Sequence, residues 1–290
     1  MQMTHKNSAL TNREMMRTIA QFQAKGGLTQ NRLSWLDESL DVAAEGPIVY
    51  FAGCVPFAGV LFDRRAETSL SSIPRAAVRL LNSVGVKPVV LPNEVCCGMD
   101  AQLAGENDTV NSLAQQNTEM LKAAGATIVL TTCSDGAWML KQYPALGFDH
   151  GCEVMHLAEF LAGKLEGVTL PPKTGIWPSC VRSSDGARRF DVSKLAAVIG
   201  PEVVDLAERD SAPADCHEDG WLPKDAEARE RVDRLIDTAI DAGLERILTL
   251  SPRCLVSLKF ALRPGTWVKG HVDVQDLVVF LSSLAERDSN

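Results

Sequence analysis

The stretch Glu94-Val95-Cys96-Cys97-Gly98-Met99-Asp100 sets two cysteines side by side. A disulfide between chain neighbours closes a small strained ring, so the pair is not a simple structural bridge. Thiolates are nucleophiles and soft metal ligands, and either chemistry needs partners brought in from elsewhere in the chain. Six further cysteines are available: Cys54, Cys133, Cys152, Cys180, Cys216 and Cys254. The polar start MQMTHKNSALTNREMMRTIAQ has no apolar segment of a secretory signal, so these thiols are expected in a reducing, cytoplasmic compartment rather than in disulfides. No apolar run reaches the ~18–20 residues of a membrane-spanning helix, which leaves membrane association to partners. A net charge of −8 without a concentrated basic run disfavours nucleic acid.

The elements that must position these thiols repeat along the chain. PIVYFAGC, ending at Cys54, has the form of TGIWPSC, ending at Cys180, and ATIVLTTC, ending at Cys133, has that of ERILTLSPRC, ending at Cys254. Between the members of each pair runs a short strand leading into a cysteine-bearing loop, VKPVVLPNEVCCG in one case and PEVVDLAERDSAPADCHEDG in the other. Equivalent positions lie 126 (180 − 54), 120 (216 − 96) and 118 (251 − 133) residues apart. One module therefore occurs twice, over residues 47–172 and 173–290, behind an extension of residues 1–46. The patterns SSIPRAAVRLLNSVG and TVNSLAQQNTEMLKAAG predict helices closed by Gly85 and Gly125. Strand alternating with helix means an α/β fold with short, mainly parallel sheets and flanking helices. In such sheets the loops leaving the carboxyl ends of the strands share one edge, and ligands bind there.

That rule gathers Cys54, Cys96, Cys97 and Cys133 at one edge, and Cys180, Cys216 and Cys254 at another. Four converging thiols point to a bound metal, and four cysteines are the usual complement of an iron–sulfur cluster. Neighbouring side chains diverge, so Cys96 and Cys97 suit different irons of one cluster better than one zinc ion. Gly98 is expected to let the backbone pass close to it. The alternative is a set of inert core thiols.

These motifs resemble the cysteine-rich CCG domain found in the B subunit of heterodisulfide reductase, in the C subunit of anaerobic glycerol-3-phosphate dehydrogenase and in lactate-utilisation proteins. The resemblance rests on Gly53-Cys54, on NEVCCG, on IVLTTC and on MHLAEFL around His156, and it runs from Pro47 to the C-terminus. It implies a tandem α/β protein that carries iron–sulfur clusters inside a multi-subunit oxidoreductase, with electrons passed to or from a thiol, disulfide or other sulfur substrate. The implied partners are a ferredoxin-like iron–sulfur subunit or a flavoprotein, and a small thiol, disulfide or sulfur carrier. The implied ligand pattern is one cysteine, then CCG, then CxxC, a five-thiol set that holds a noncubane cluster. Here the last motif reads Cys133-Ser134-Asp135-Gly136, which leaves four thiols. They suffice for a 4Fe-4S cluster, or for a noncubane one completed by Asp135, Ser134 or an external thiol.

In the second module the CCG position aligns with Cys216-His217 and the CxxC position with Ser251-Pro252-Arg253-Cys254. Cys180, Cys216, His217 and Cys254 form a three-thiolate, one-imidazole set that suits structural zinc, or a second cluster with a histidine ligand. A decayed site is the alternative. Two functional classes follow: a redox subunit working through the first-module cluster, and a structural or electron-relay subunit of a quinone-linked dehydrogenase complex whose second module is stabilised by zinc.

Other residues carry plainer expectations. Cys152 lies outside both patterns and reads as a buried or adventitious thiol. His156 sits at a helix start with Asp276 as its counterpart, which favours a structural hydrogen bond over proton transfer. Arg182, Arg188 and Arg189 could line an anionic pocket, though scattered arginines are mostly surface. Trp138, Trp177 and Trp221 either shield a cluster or touch substrate. In the extension, NREMMRTIAQFQAKGG predicts an amphipathic helix closed by Gly26 and Gly27, and NRLSWLDESLDVAAEG a second. Either the first of these packs on its own chain or it docks a partner.

Overall fold

The computed structural model describes residues 12–26, 31–165, 168–177, 204–206, 221–223, 226–262 and 271–288. Strands β1 (Ile48–Phe51), β2 (Val89–Val90), β3 (Ile128–Thr131) and β4 (Glu153–His156) form one parallel sheet in the order β2-β1-β3-β4. Strands β5 (Thr174–Trp177), β6 (Val204–Asp205), β7 (Arg246–Thr249) and β8 (Asp273–Asp276) form a second in the order β6-β5-β7-β8. The two sheets have the same topology and matching register: Val49 pairs with Val89 and Val129, as Gly175 pairs with Val204 and Ile247. The tandem α/β architecture expected from the repeat is therefore present. The strands are short apolar runs because helices cover both faces of each sheet, which leaves no water-facing side for alternation.

In the first module the helices are α2 (Val55–Ala66), α3 (Ser72–Ser83), α4 (Met99–Leu103), α5 (Asn107–Ala123), α6 (Ser134–Gln142) and α7 (Leu157–Leu161). Gly85, at φ 77°, ends the turn after α3, where the Val86 N–H reaches back to the Leu81 carbonyl at 2.8 Å. Gly125, at φ 67°, does the same after α5. The second module contributes α8 (Ala226–Asp241), α9 (Pro252–Ala261) and α10 (Leu277–Asp288). Its packing is shared with the first: α10 lies on α3, and α9 lies on α2. One apolar core joins Tyr50, Leu81, Leu130 and Leu157 to Ile176, Leu248, Leu277 and Leu281 across the modules.

The first extension helix, α1 (Asn12–Ala24), packs on α4 and α5 of its own chain. The second expected helix does not form; residues 31–46 are turns, with Ala43 bridged to Val89. The side chains of Asn31 and Asp37 accept from the backbone N–H groups of Leu33 (3.2 Å) and Ser39 (3.0 Å), offering the chain local turns in place of a helical ladder. Trp35 and Leu40 of this segment are buried in the shared core. Among the described residues no helix is long and apolar enough to cross a membrane.

Candidate functional site

Three loops leave the carboxyl ends of β1, β2 and β3 and bring four thiols to one edge of the first sheet. Cys54 caps the N-terminus of α2, Cys96 and Cys97 lie on the loop before α4, and Cys133 caps α6, its sulfur accepting from the Gly136 N–H at 3.3 Å. Gly53, at φ 61°, turns the chain toward Cys54, and a Cβ there would stand 3.1 Å from the Phe51 ring. Gly98, at φ 91°, occupies the left-handed region, while a Cβ on it would meet only Leu113 and Val110 at ordinary contact distance. Its glycine is required by backbone conformation, a different reason from the crowding expected of it.

An irregular buried loop must satisfy its backbone polar groups, and side chains from distant elements do so here. The Cys96 N–H donates to Gln23 Oε1 at 2.8 Å, and Asn117 Nδ2 donates to the Cys96 carbonyl at 3.1 Å. Tyr143 Oη donates to the Cys97 carbonyl at 2.9 Å, and Asn117 Oδ1 accepts from the Val95 N–H at 3.1 Å. On the Cys54 side, Glu94 Oε1 accepts from the Gly53 N–H at 3.0 Å while Arg32 Nη2 donates to the Gly53 carbonyl and lies 3.5 Å from Glu94. Burial pushes the Glu94 carboxyl up to about 7, against the pull of Arg32 and the Gly53 N–H. A cavity of about 600 Å³ adjoins these ties, lined by Gln23, Asn31, Arg32, Phe57, Asn93 and Glu94 among others.

The thiols act on one another. Cys96 is held well below the ordinary thiol range because Cys54 and Cys97 donate to its sulfur, helped by the Gly98 N–H and Arg32. Cys54 and Cys97 are pushed up by the same hydrogen bonds and by burial, and burial with the Asp135 charge pushes Cys133 up to about 12. A cationic centre bound by these sulfurs would displace their protons. Among the described residues, no three His, Cys, Asp or Glu side chains gather around a single metal ion. Four thiols presented from three loops of one sheet edge are a soft donor set of the size that an iron–sulfur cluster takes.

The second module closes the site. Ser251 Oγ lies 3.7 Å from Cys133 Sγ and donates to Asp135 Oδ2 at 3.1 Å. Arg253 Nη2 donates to Asp100 Oδ1 at 2.6 Å, and Trp221 Nε1 donates to Asp100 Oδ2 at 3.3 Å. Trp221 stacks on Phe62 at 5.2 Å and is buried, so it is a wall of the site rather than a substrate contact. Trp177 is likewise core, and Trp138 packs at the edge of the first module's outer core. Nothing in the sequence alone marks Gln23, Arg32, Asn117, Tyr143, Asp100 or Arg253 for these roles. For Ser251 there is one signal, the offset of the repeat that sets it opposite Cys133.

The remaining expectations divide. Cys152 Sγ donates to the Ala126 carbonyl at 3.2 Å, at the other end of the sheet from the four thiols. His156 Nδ1 accepts from the Ala158 N–H at 3.2 Å and caps α7, just as Asp276 Oδ1 accepts from the Val278 N–H at 2.9 Å and caps α10. Both are structural caps. Cys254 lies in α9, fully buried in an apolar core. Cys180, Cys216, His217, Arg182, Arg188 and Arg189 fall outside the described residues.

Residues 48–141 match the family model of the cysteine-rich domain, CCG. The chain is similar to the D subunit of the dihydromethanophenazine:CoB–CoM heterodisulfide reductase of Methanosarcina acetivorans, 33% identical over 139 residues, 46% of this chain and 31% of that protein. It is similar to the B subunit of the fumarate reductase (CoM/CoB) of Methanothermobacter marburgensis, 25% identical over 217 residues, 71% of this chain and 41% of that one. It also resembles the lactate utilization protein A of an Exiguobacterium species, 22% identical over 67% of this chain and 84% of that protein. The match spans about a third of the first relative's length. The heterodisulfide reductase subunit among these relatives is D.

Proposed function

We propose that Cys54, Cys96, Cys97 and Cys133 hold one iron–sulfur cluster, and that the chain is an electron-transfer subunit of a multi-subunit oxidoreductase acting on a thiol, disulfide or other sulfur substrate. The observation that carries this reading is the gathering of four thiols at one sheet edge, with Cys96 Sγ accepting from the Gly98 N–H at 3.4 Å and Cys133 Sγ from the Gly136 N–H at 3.3 Å, and with the backbone of the Cys96–Cys97 loop tied from several helices. The match to the cysteine-rich domain and the redox-complex subunits among the relatives support it. A bound cluster supplies one-electron storage at a buried site. The chain supplies the thiolates, the positive N-terminal ends of α2 and α6 beside Cys54 and Cys133, and a wall that keeps water from Cys96 and Cys97. Cys54 and Cys133 are only partly buried, which gives electrons their route in and out. The same reading divides the chain into modules 47–172 and 173–290, the second holding zinc or another cluster on Cys180, Cys216, His217 and Cys254.

Anaerobic purification with iron and sulfide analysis tests the cluster. We expect broad visible absorbance and about four iron and four sulfide per chain; a colourless protein without iron, after reconstitution with ferrous iron and sulfide, overturns the reading. Mixing the reduced protein with a small disulfide, or with a soluble quinone, then separates a sulfur substrate from the alternative of a quinone-linked relay by which of the two reoxidises it.

A further inference from the structure

A buried ion pair contributes little to stability that well-packed apolar side chains could not supply, so one placed beside a functional site calls for another explanation. Arg253 and Asp100 form such a pair, 4% and 3% exposed at the side chain. They come from different modules, Asp100 on α4 just after Cys97 and Arg253 at the start of α9. Arg253 also lies 5.9 Å over the Trp221 ring, and its Nη1 has no hydrogen-bond partner among the described residues. Its charge reaches Asp100, Asp135, Cys133 and Cys54, while that of Cys96 reaches Asp100. Among the described residues, the second module thus presents the Arg253 cation to the thiol site, and the first presents the Asp100 carboxylate in contact with it and the Asp135 carboxylate nearby.

Resting on the cluster assignment above, we propose that Arg253 is a positioning residue that sets the electron affinity of the centre held by Cys54, Cys96, Cys97 and Cys133, with Asp100 as its opponent. A one-electron reduction of a cluster held there would add one negative charge to the site. A cation in a water-poor site favours the reduced state and a carboxylate favours the oxidised one, because neither charge is screened there as it is in water.

The test is a redox titration of the full chain followed by visible absorbance, with dithionite supplying electrons through mediator dyes. Arg253→Gln and Asp100→Asn break the same ion pair, so packing damage is common to both, whereas the electrostatic effects have opposite signs. Arg253→Gln is expected to shift the reduction equilibrium about tenfold toward the oxidised cluster, about 59 mV for one electron, and Asp100→Asn by a similar factor toward the reduced one. Arg253→Lys, which keeps the charge, is expected to return most of the way to the parent value. Shifts of the same sign, or none, in variants that keep their full iron overturn the proposal. Should a single variant fail to fold, Arg253→Lys and the double variant Arg253→Gln, Asp100→Asn carry the test. Both are expected to stay within threefold of the parent, and a tenfold shift in either overturns it. Parent protein that binds no iron overturns the cluster assignment itself, a separate result read before any variant is made.

Discussion

The two modules share strand order and register, yet the loops that follow β3 and β7 do different work. In the first, the loop after β3 carries Cys133, Ser134 and Asp135, with Cys133 facing the other thiols and Asp135 against the interface. In the second, the equivalent loop carries Ser251, Pro252 and Arg253, and both its hydroxyl and its guanidinium are turned across the interface onto the first module's site. Cys254, which stands where the first module has Gly136, is folded into apolar core among Trp177, Leu235 and Val256. Duplicating the scaffold has not duplicated the chemistry at this loop. The first module's loop presents a thiol to the site, and the second module's loop walls that site in and supplies charge.

The hardest test of that division is a pair of thiol deletions. Cys97→Ala is expected to abolish visible absorbance and iron binding, because an iron loses its thiolate and Tyr143 is left holding a loop with nothing to present. Cys254→Ala is expected to keep the full spectrum while losing about 1–3 kcal/mol of stability as a core deletion. Iron analysis and chemical denaturation of the two proteins decide it. Loss of part of the iron in the Cys254 variant would mean that the second module holds a cluster of its own, and loss of all of it that both modules ligate the same centre. Loss of zinc alone would support the separate site proposed for Cys180, Cys216 and His217.

The helix caps His156 and Asp276 occupy matching positions but answer to pH in opposite directions. Burial holds the His156 imidazole down at about 4 despite hydrogen bonds to the Thr132 and Leu250 carbonyls. From about pH 6.5 down to 4 the unfolded chain therefore takes a proton that the folded one refuses, and about 3 kcal/mol of stability is lost as pH falls. Burial raises the Asp276 carboxyl to about 7, against hydrogen bonds from the Val279 and Val278 N–H groups. Between about pH 4 and 7 the folded chain keeps a proton that the unfolded one has released, so about 4 kcal/mol is lost as pH rises. Urea unfolding as a function of pH should show His156→Asn flattening the acid side of the curve and Asp276→Asn the neutral side. A common response in the two variants would remove the asymmetry.

Strand runs such as Ile48–Phe51 and Ile128–Thr131 were legible because burial on both faces demands continuous apolar sequence. Gly85 and Gly125 were legible because a left-handed cap has few other solutions. The convergence of Cys54, Cys96, Cys97 and Cys133 followed from strand direction alone. The ties around them did not, since Gln23, Asn117 and Tyr143 are single polar residues that look like surface until α1 lies on α5 and the Cys96 loop is buried between them. Arg253 and Asp100 are 153 residues apart, and only the docking of one module on the other makes them a pair. In residues 31–46, apolar spacing pointed to a helix, and the short-range hydrogen bonds of Asn31 and Asp37 prevailed over it.

A smaller effect lies in the sheets themselves. Val49 of β1 is packed in the first module's outer core, and its counterpart in β5 is Gly175. A Cβ on Gly175 would fall 2.7 Å from Leu244 Cδ1 and 2.9 Å from Leu206 Cδ1, so these leucines fill the volume that the Val49 side chain fills in the other copy. Gly175→Ala is expected to cost about 1–3 kcal/mol by overpacking. Denaturation midpoints at constant cluster content measure it, and a stabilised variant would show that the leucines yield without strain.

The smallest effect concerns the two residues that face each other across the module interface. Cys133 and Ser251 are equivalent in the repeat and stand 3.7 Å apart. Ser251 has one hydroxyl proton for two acceptors, the Asp135 carboxylate at 3.1 Å and the Cys133 sulfur, so its donation to sulfur is partial. A hydrogen bond to a ligating sulfur withdraws charge from it and favours the reduced cluster. Ser251→Ala removes that donor without placing a new charge at the interface. It is expected to shift the reduction equilibrium about threefold toward the oxidised state, a little over half a kcal/mol, in keeping with the net worth of about one hydrogen bond. Its effect should share the sign of Arg253→Gln and be smaller, because the hydroxyl contributes a dipole and the guanidinium a full charge. A shift equal to or larger than that of Arg253→Gln would place Ser251 in direct ligation, and the second module would then share in holding the centre as well as enclosing it.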